Sequence, residues 1–276
     1  MIIKPIEASV VLDDVVDHYQ SLKFGFGCAD YYPQMLHTYR RTIYDIINLD
    51  IKKPRDQQEI LEIGSLTGIV STALSRCGYP VTAHDIPKVI NDPDLQNHYA
   101  KEGITPMSFL LQDYPLPLES GRYDVIVFCE VLEHLNFNPL FLLSEFNRIL
   151  KPDGIVYVAT PNQASLVHRL MLLRGQSFYF PVTYFEDGID PESLAAFGYH
   201  WHEFTKSELE ELFALRGFRM IAHQYCRYIE RTGSNAVRRW LVSSIYKIFP
   251  ALMQCQAAVF QKSSSFDEFP LNNLKR

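Results

Sequence analysis

The chain has 276 residues, of which 47% are hydrophobic and 21% charged, and carries a formal net charge of −6. That length buries one sizeable core with room for a small appended lobe, and the hydrophobic share excludes a disordered chain. No Lys/Arg run is longer than a pair such as Lys52-Lys53 or Arg238-Arg239, so no basic field draws a phosphate backbone and nucleic acid is not an expected partner.

The opening MIIKPIEASVVLDD places Asp13 and Asp14 where a secretory leader would still be apolar. No run of about eighteen apolar residues follows anywhere, so a cytoplasmic protein without a membrane span is expected. Leu36, Tyr39, Ile43, Ile46 and Ile47 recur at helical spacing and predict an amphipathic helix over 31–49, part of an N-terminal helical cover assigned to 1–54. The apolar run Ile60–Ile63 then ends in Gly64, and Thr67-Gly68 opens a helix running to about Cys77, which reads as strand, tight turn, helix. Further strands are predicted at Pro80–His84, running into Asp85, at about Met107–Leu111, running into Gln112-Asp113, and at Asp124–Phe128, running into Cys129-Glu130. A helix around Pro139–Leu150 and the turn Lys151–Gly154 lead to a fifth strand, Ile155–Ala159. Strands alternating with helices argue for βαβ units and a parallel sheet.

After Thr160-Pro161-Asn162 the pattern changes. Residues 163–203 hold a short helix and an aromatic stretch broken by Gly and Pro, too long for an ordinary connection and too apolar for a disordered linker, and are expected to form a lid. A helix at Lys206–Leu215, a strand at Phe218–Tyr228, a helix at Asn235–Ile248 and a strand at Gln256–Gln261 complete a domain over 55–262. The polar stretch 263–276 reads as a tail, or as a linker to a further domain. The five cysteines, Cys28, Cys77, Cys129, Cys226 and Cys255, are odd in number and lack C-x-x-C spacing, which fits reduced thiols and no structural metal.

In open parallel sheets ligands sit beyond the carboxyl ends of the strands, so the polar strand ends should converge. In Glu62-Ile-Gly64-Ser65-Leu-Thr-Gly68 the glycines let backbone approach a ligand, and the following helix N-terminus offers N–H groups to an amino-acid carboxylate. Asp85, followed by Ile86, is placed to accept from two ribose hydroxyls, and Asp113 from an adenine amino group; the alternative is that each merely caps a helix or turn.

ILEIGSLTG, AHDI, LLQD, YDVIVFCEVLEHL and RILKPDGIVYVATPN together resemble the successive signatures of class I S-adenosylmethionine-dependent methyltransferases, over roughly 55–230. With GYHWHEFTKSELEELFALRGF, the resemblance points to the branch that modifies quinones, sugars, lipids and secondary metabolites. It implies an α/β, Rossmann-like, doubly wound seven-stranded mixed sheet with the last strand antiparallel. It also implies S-adenosylmethionine as donor, S-adenosylhomocysteine as product, and Cys129 and Glu130 beside the cofactor. One departure is that Leu66 stands where the family usually has glycine. A dinucleotide site would show G-x-G-x-x-G rather than the G-x-x-x-G found here, and leaves Glu62, Asp113 and Glu130 without a role.

Methyl transfer from a sulfonium needs alignment and dry surroundings more than acid catalysis, but a hydroxyl acceptor must also lose its proton. His134, His200 and His202 are the candidate bases; His134 has an alternative reading as a structural residue at a helix start. His200, His202 and Glu203 without a distant fourth ligand are thin grounds for a metal. Tyr179, Tyr184, Tyr199 and Trp201, amid further aromatics including Phe178, Phe180, Phe185 and Phe197, line an apolar acceptor pocket or form the lid's own core. O-methylation of a small-molecule or peptidic acceptor is the leading expectation. Methyl-ester formation, N-methylation and a non-catalytic binding module of a larger assembly are the rivals.

Overall fold

The computed structural model describes residues 11–16, 32–189, 198–228 and 236–263. Phe197 and nearly all of the expected tail lie outside them. In chain order the elements are α1 (11–16), α2 (Tyr32–Ile47), β1 (Ile60–Ile63), α3 (Ile69–Arg76), β2 (Val81–Asp85), α4 (Pro87–Ile90), α5 (Pro93–Glu102) and β3 (Thr105–Ser108). They continue with β4 (Tyr123–Cys129), α6 (Pro139–Ile149), β5 (Leu150–Pro161), α7 (Leu166–Leu173), α8 (Tyr184–Asp187), α9 (Lys206–Ala214), β6 (Phe218–Cys226), α10 (Ala236–Ile248) and β7 (Cys255–Lys262).

The strands form one sheet in the order β3-β2-β1-β4-β5-β7-β6. β1 to β5 run parallel, and β7 is antiparallel to both β5 and β6, so the expected mixed sheet with an antiparallel last strand is present. Each face of the sheet has its own core. Ile60, Val81, Val125 and Tyr157 pack with Leu12, Ile43, Ile46, Ala73, Leu95 and Tyr99 from α1, α2, α3 and α5. On the other face Leu61, Ile126, Val156 and Phe260 pack with Leu142 and Phe146 of α6 and Leu209 and Phe213 of α9. The N-terminal helices are therefore continuous with the sheet's core.

Local chemistry sets the helix ends. Asp92 accepts from Asp94 N–H and Leu95 N–H at 3.0 Å each to start α5. The Thr205 hydroxyl and Glu208 close a reciprocal capping box at the start of α9.

Two expectations are corrected. The third strand lies at Thr105–Ser108, not Met107–Leu111: it is the sheet edge, with only β2 to pair with, and pairing stops where Asp85 meets Ser108. Apolar Phe109 turns inward instead, stacking on His84 with centroids 3.9 Å apart. The segment leading to His202 is irregular rather than extended, so the alternation rule that would put His200 and His202 on one side does not apply. No helix among the described residues is long and apolar enough to cross a membrane.

Candidate active site

The strand order reverses between β1 and β4, where crossovers leave in opposite directions and open a crevice at the carboxyl ends. Ile63 pairs with His84 on one side and Phe128 on the other, so Gly64, Asp85 and Cys129 leave the sheet at the same level. The convergence expected of the polar strand ends is thus produced by register.

Gly64 has φ +77°, and both Gly64 N–H and Ser65 N–H donate to His84 O at 2.9 Å. A Cβ on Gly64 would run into Val131 Cγ2, and one on Gly68, also at φ +77°, into the Tyr99 ring. The loop therefore needs glycine at both positions for conformation and for space. Leu66 sits between them at φ +46°, in the left-handed region that glycine occupies without strain, with its side chain against the α2/α3 core. Tyr99 OH donates to Ser65 Oγ at 3.1 Å.

Asp85 stiffens this loop: one carboxylate oxygen accepts from Leu66 N–H at 2.6 Å and the other from Ile86 N–H at 2.7 Å. A carboxylate has about four acceptor positions, so two remain for hydroxyl donors. Burial pushes Asp85 up to about 6, against those two hydrogen bonds, which hold it down. Behind the loop Glu62 is buried, accepts from the Ser71 hydroxyl, and is pushed by burial to about 8. Asp113 lies in an exposed turn five residues beyond Ser108, the residue that pairs with Asp85. Cys129 lies under α2, with Thr42 Oγ1 3.7 Å from its Sγ, and burial raises its thiol.

The end of β4 carries a second group of polar side chains. Glu130 has φ +54°, strained for a non-glycine residue; its N–H donates to Ala159 O at 2.8 Å and its Oε2 accepts from Tyr228 OH at 2.8 Å. Glu133, on the short 3-10 turn Leu132–His134, is fully buried and accepts from Thr160 Oγ1 at 2.9 Å. Burial drives Glu130 well up and Glu133 to about 7, and their mutual repulsion adds to the rise in Glu130. The remaining oxygens, Glu130 Oε1 and Glu133 Oε1, are shut off from solvent, and His134 Nε2 lies 4.0 Å from Glu133 Oε1.

The stretch 199–202 closes over this end. Trp201 N–H donates to Glu133 O at 2.7 Å, His134 Nδ1 lies 3.2 Å from Tyr199 O, and the rings of His134 and His200 are 4.7 Å apart, edge to face. One ligand atom each from Glu133, His134 and His200 falls within 4.8 Å of the others, a grouping of the size that a small cation would need. Burial holds His134 down at about 4, with repulsion from His200 as the second cause. His202 is instead exposed, its ring against Phe204 at 4.5 Å, so it does not join His134 and His200. Tyr184, Tyr199 and Trp201 pack with Phe180 and Phe185 into one wall, with Phe180 edge-on to His200 at 5.2 Å; Tyr179 packs instead on Phe178, which stacks on His168.

Residues 35–223 match the methyltransferase domain family. The chain belongs to the class I S-adenosylmethionine-dependent methyltransferases. Among curated proteins, ubiquinone biosynthesis O-methyltransferases are similar to part of it. The one from Rickettsia canadensis is 30% identical over 115 residues, covering 42% of this chain and 48% of that protein. The one from Methylobacterium nodulans is 33% identical over 111 residues, covering 40% and 43%. The chain spans about half the length of the curated relatives it matches. Solved methyltransferases share the fold. The Haloferax volcanii protein solved in complex with the Trm112 methyltransferase activator aligns with a TM-score of 0.57 at 14% identity, over 93% of this chain and 98% of that one. An S-adenosylmethionine-dependent methyltransferase from Archaeoglobus fulgidus aligns with a TM-score of 0.51 at 16% identity, over 82% and 93%.

Sequence reasoning missed Glu133, His168 and Tyr228 as members of the site, and weighed Glu203 only as a metal ligand. An acid pair three residues apart in apolar CEVLEHL was the available signal for Glu133. Nothing in spacing marks Tyr228, which meets Glu130 across 98 positions.

Proposed function

We propose that this methyltransferase passes the methyl group of S-adenosylmethionine to a hydroxyl oxygen of a small acceptor carrying an aromatic or similarly apolar ring. The donor, when bound, supplies a methyl on a positively charged sulfur, poised for in-line displacement. Gly64, Ser65 and Gly68 form the turn that would lie along its amino-acid end, and Asp85 keeps two acceptor positions for its ribose. The acidic group at the end of β4 offsets the sulfonium charge, and the aromatic wall excludes water from the acceptor side.

The observation that carries the choice of oxygen is the convergence of two histidines on this acidic end. His134 Nδ1 faces a carbonyl and His200 Nδ1 faces the Glu203 carboxylate at 3.0 Å. Both acceptors require N–H at Nδ1, which leaves the Nε2 lone pairs to take a proton. A carboxylate acceptor, already ionised near neutral pH, would need no such base.

Incubation with donor carrying an isotopically labelled methyl, followed by mass spectrometry, tests the reading. A panel would pair each catechol or phenol with the matching benzoate. Label on the hydroxyl compounds and not on the benzoates is expected; label on benzoates alone, or on amines, would refute it.

A further inference from the structure

Resting on that reading, we propose that Glu203 is the positioning residue of the catalytic base: it holds His200 in the tautomer that presents Nε2 to the acceptor hydroxyl, and so makes His200, not His134, the proton acceptor. Three observations support this. Glu203 is buried, 4% exposed, and its Oε1 lies 3.0 Å from His200 Nδ1. Its other oxygen faces His168 Nδ1 at 3.3 Å, and that nitrogen also lies 3.2 Å from Gln163 O. The backbone beside it is pinned to the sheet, because Phe204 O accepts from Gln256 Nε2 at 2.6 Å and from Gln163 N–H at 3.2 Å. A carboxylate fixed by burial and backbone is what an oriented imidazole requires.

The two histidines differ in their Nδ1 partner. A carbonyl accepts the His134 proton but brings no charge, whereas Glu203 can offset the positive charge that His200 gains. The groups facing His200 are Glu130, Glu133 and His134 from the end of β4, Glu203 from its own segment, and Phe180 from the lid.

In the transfer step the acceptor O–H bond breaks and its proton goes to His200 Nε2. The oxygen forms the new bond to the methyl carbon while the carbon–sulfur pair stays on sulfur as a neutral thioether. The imidazolium beside Glu203 then returns its proton to solvent, and nothing is oxidised or reduced.

The test has an arm that needs no acceptor. In protein labelled with ¹⁵N-histidine, the His200 resonances should report Nδ1–H and a bare Nε2, and Glu203→Gln should move population toward Nε2–H. An unchanged tautomer in the variant would overturn the proposal. Loss of the bare Nε2 signal on adding Mg²⁺ or Zn²⁺ would also overturn it, because His200 would then be a ligand. With a hydroxyl acceptor from the panel, Glu203→Gln should lower kcat roughly 10–100-fold with little change in KM, and Glu203→Asp should recover part of the loss. His134→Ala costing more than His200→Ala would reverse the assignment. If no panel compound accepts a methyl, the proposed function fails while the tautomer measurement still decides the role of Glu203.

Discussion

Gly64→Ala is the sharpest test of the cofactor loop. Alanine at φ +77° meets the penalty of the left-handed region, about 1–2 kcal/mol. Its methyl would also run into Val131 Cγ2, an overlap of the kind that costs about 1–3 kcal/mol. The lower entropy of the unfolded alanine chain returns roughly 0.4–1 kcal/mol, so a net loss of about 1–5 kcal/mol is expected. Urea denaturation at constant slope measures it. The double variant Gly64→Ala with Val131→Ala separates the two causes: it should recover the overlap and keep the backbone penalty, a coupling of at least about 1 kcal/mol. Additivity within about 0.5 kcal/mol, or a single variant as stable as the wild type, would refute the assignment of both roles to Gly64.

Leu66→Gly should keep donor affinity and change stability by less than about 1 kcal/mol, because relief at φ +46° offsets lost packing and added chain entropy; calorimetry showing lost binding would contradict this. Glu62 is raised from its ordinary 4.5 to about 8, so its share of stability is present below pH 4.5 and is lost as pH rises through 8. Urea midpoints at pH 5 and 9 should therefore fall more in wild type than in Glu62→Gln, by up to on the order of 5 kcal/mol; parallel profiles would refute it. Asp85→Ala should weaken donor binding by roughly 1–3 kcal/mol. In wild type, affinity should rise with pH through about 6 as Asp85 ionises; a flat profile in calorimetry would move the ribose contact elsewhere. Thr205→Ala should cost about 0.5–2 kcal/mol by removing the α9 cap, read from thermal unfolding.

What was legible in the sequence is what depends on neighbours along the chain. The Gly64–Gly68 turn, the acid closing β2 and the start of the helix at Lys206 are short-range features, and all are present within a residue or two of where the pattern placed them. The third strand was misplaced because an edge strand carries little burial pattern: of Thr105–Ser108, only Met107 is even half-buried. His202 was misjudged because period-two alternation was applied to a segment held by tertiary contacts to Glu133 and Gln256 instead of a ladder. The pairing of His168 with Glu203 was hidden for a similar reason. They lie 35 positions apart, near the two ends of the stretch 163–203, and the fold of the β5 end brings them together.

The most direct test of the account is calorimetric titration of the protein with S-adenosylmethionine, alongside Gly64→Val. The account predicts saturable binding at one site per chain in the wild type, and none in the variant, whose branched side chain would occupy the backbone approach. No heat of binding in a folded wild-type protein, or equal affinity in Gly64→Val, would contradict it.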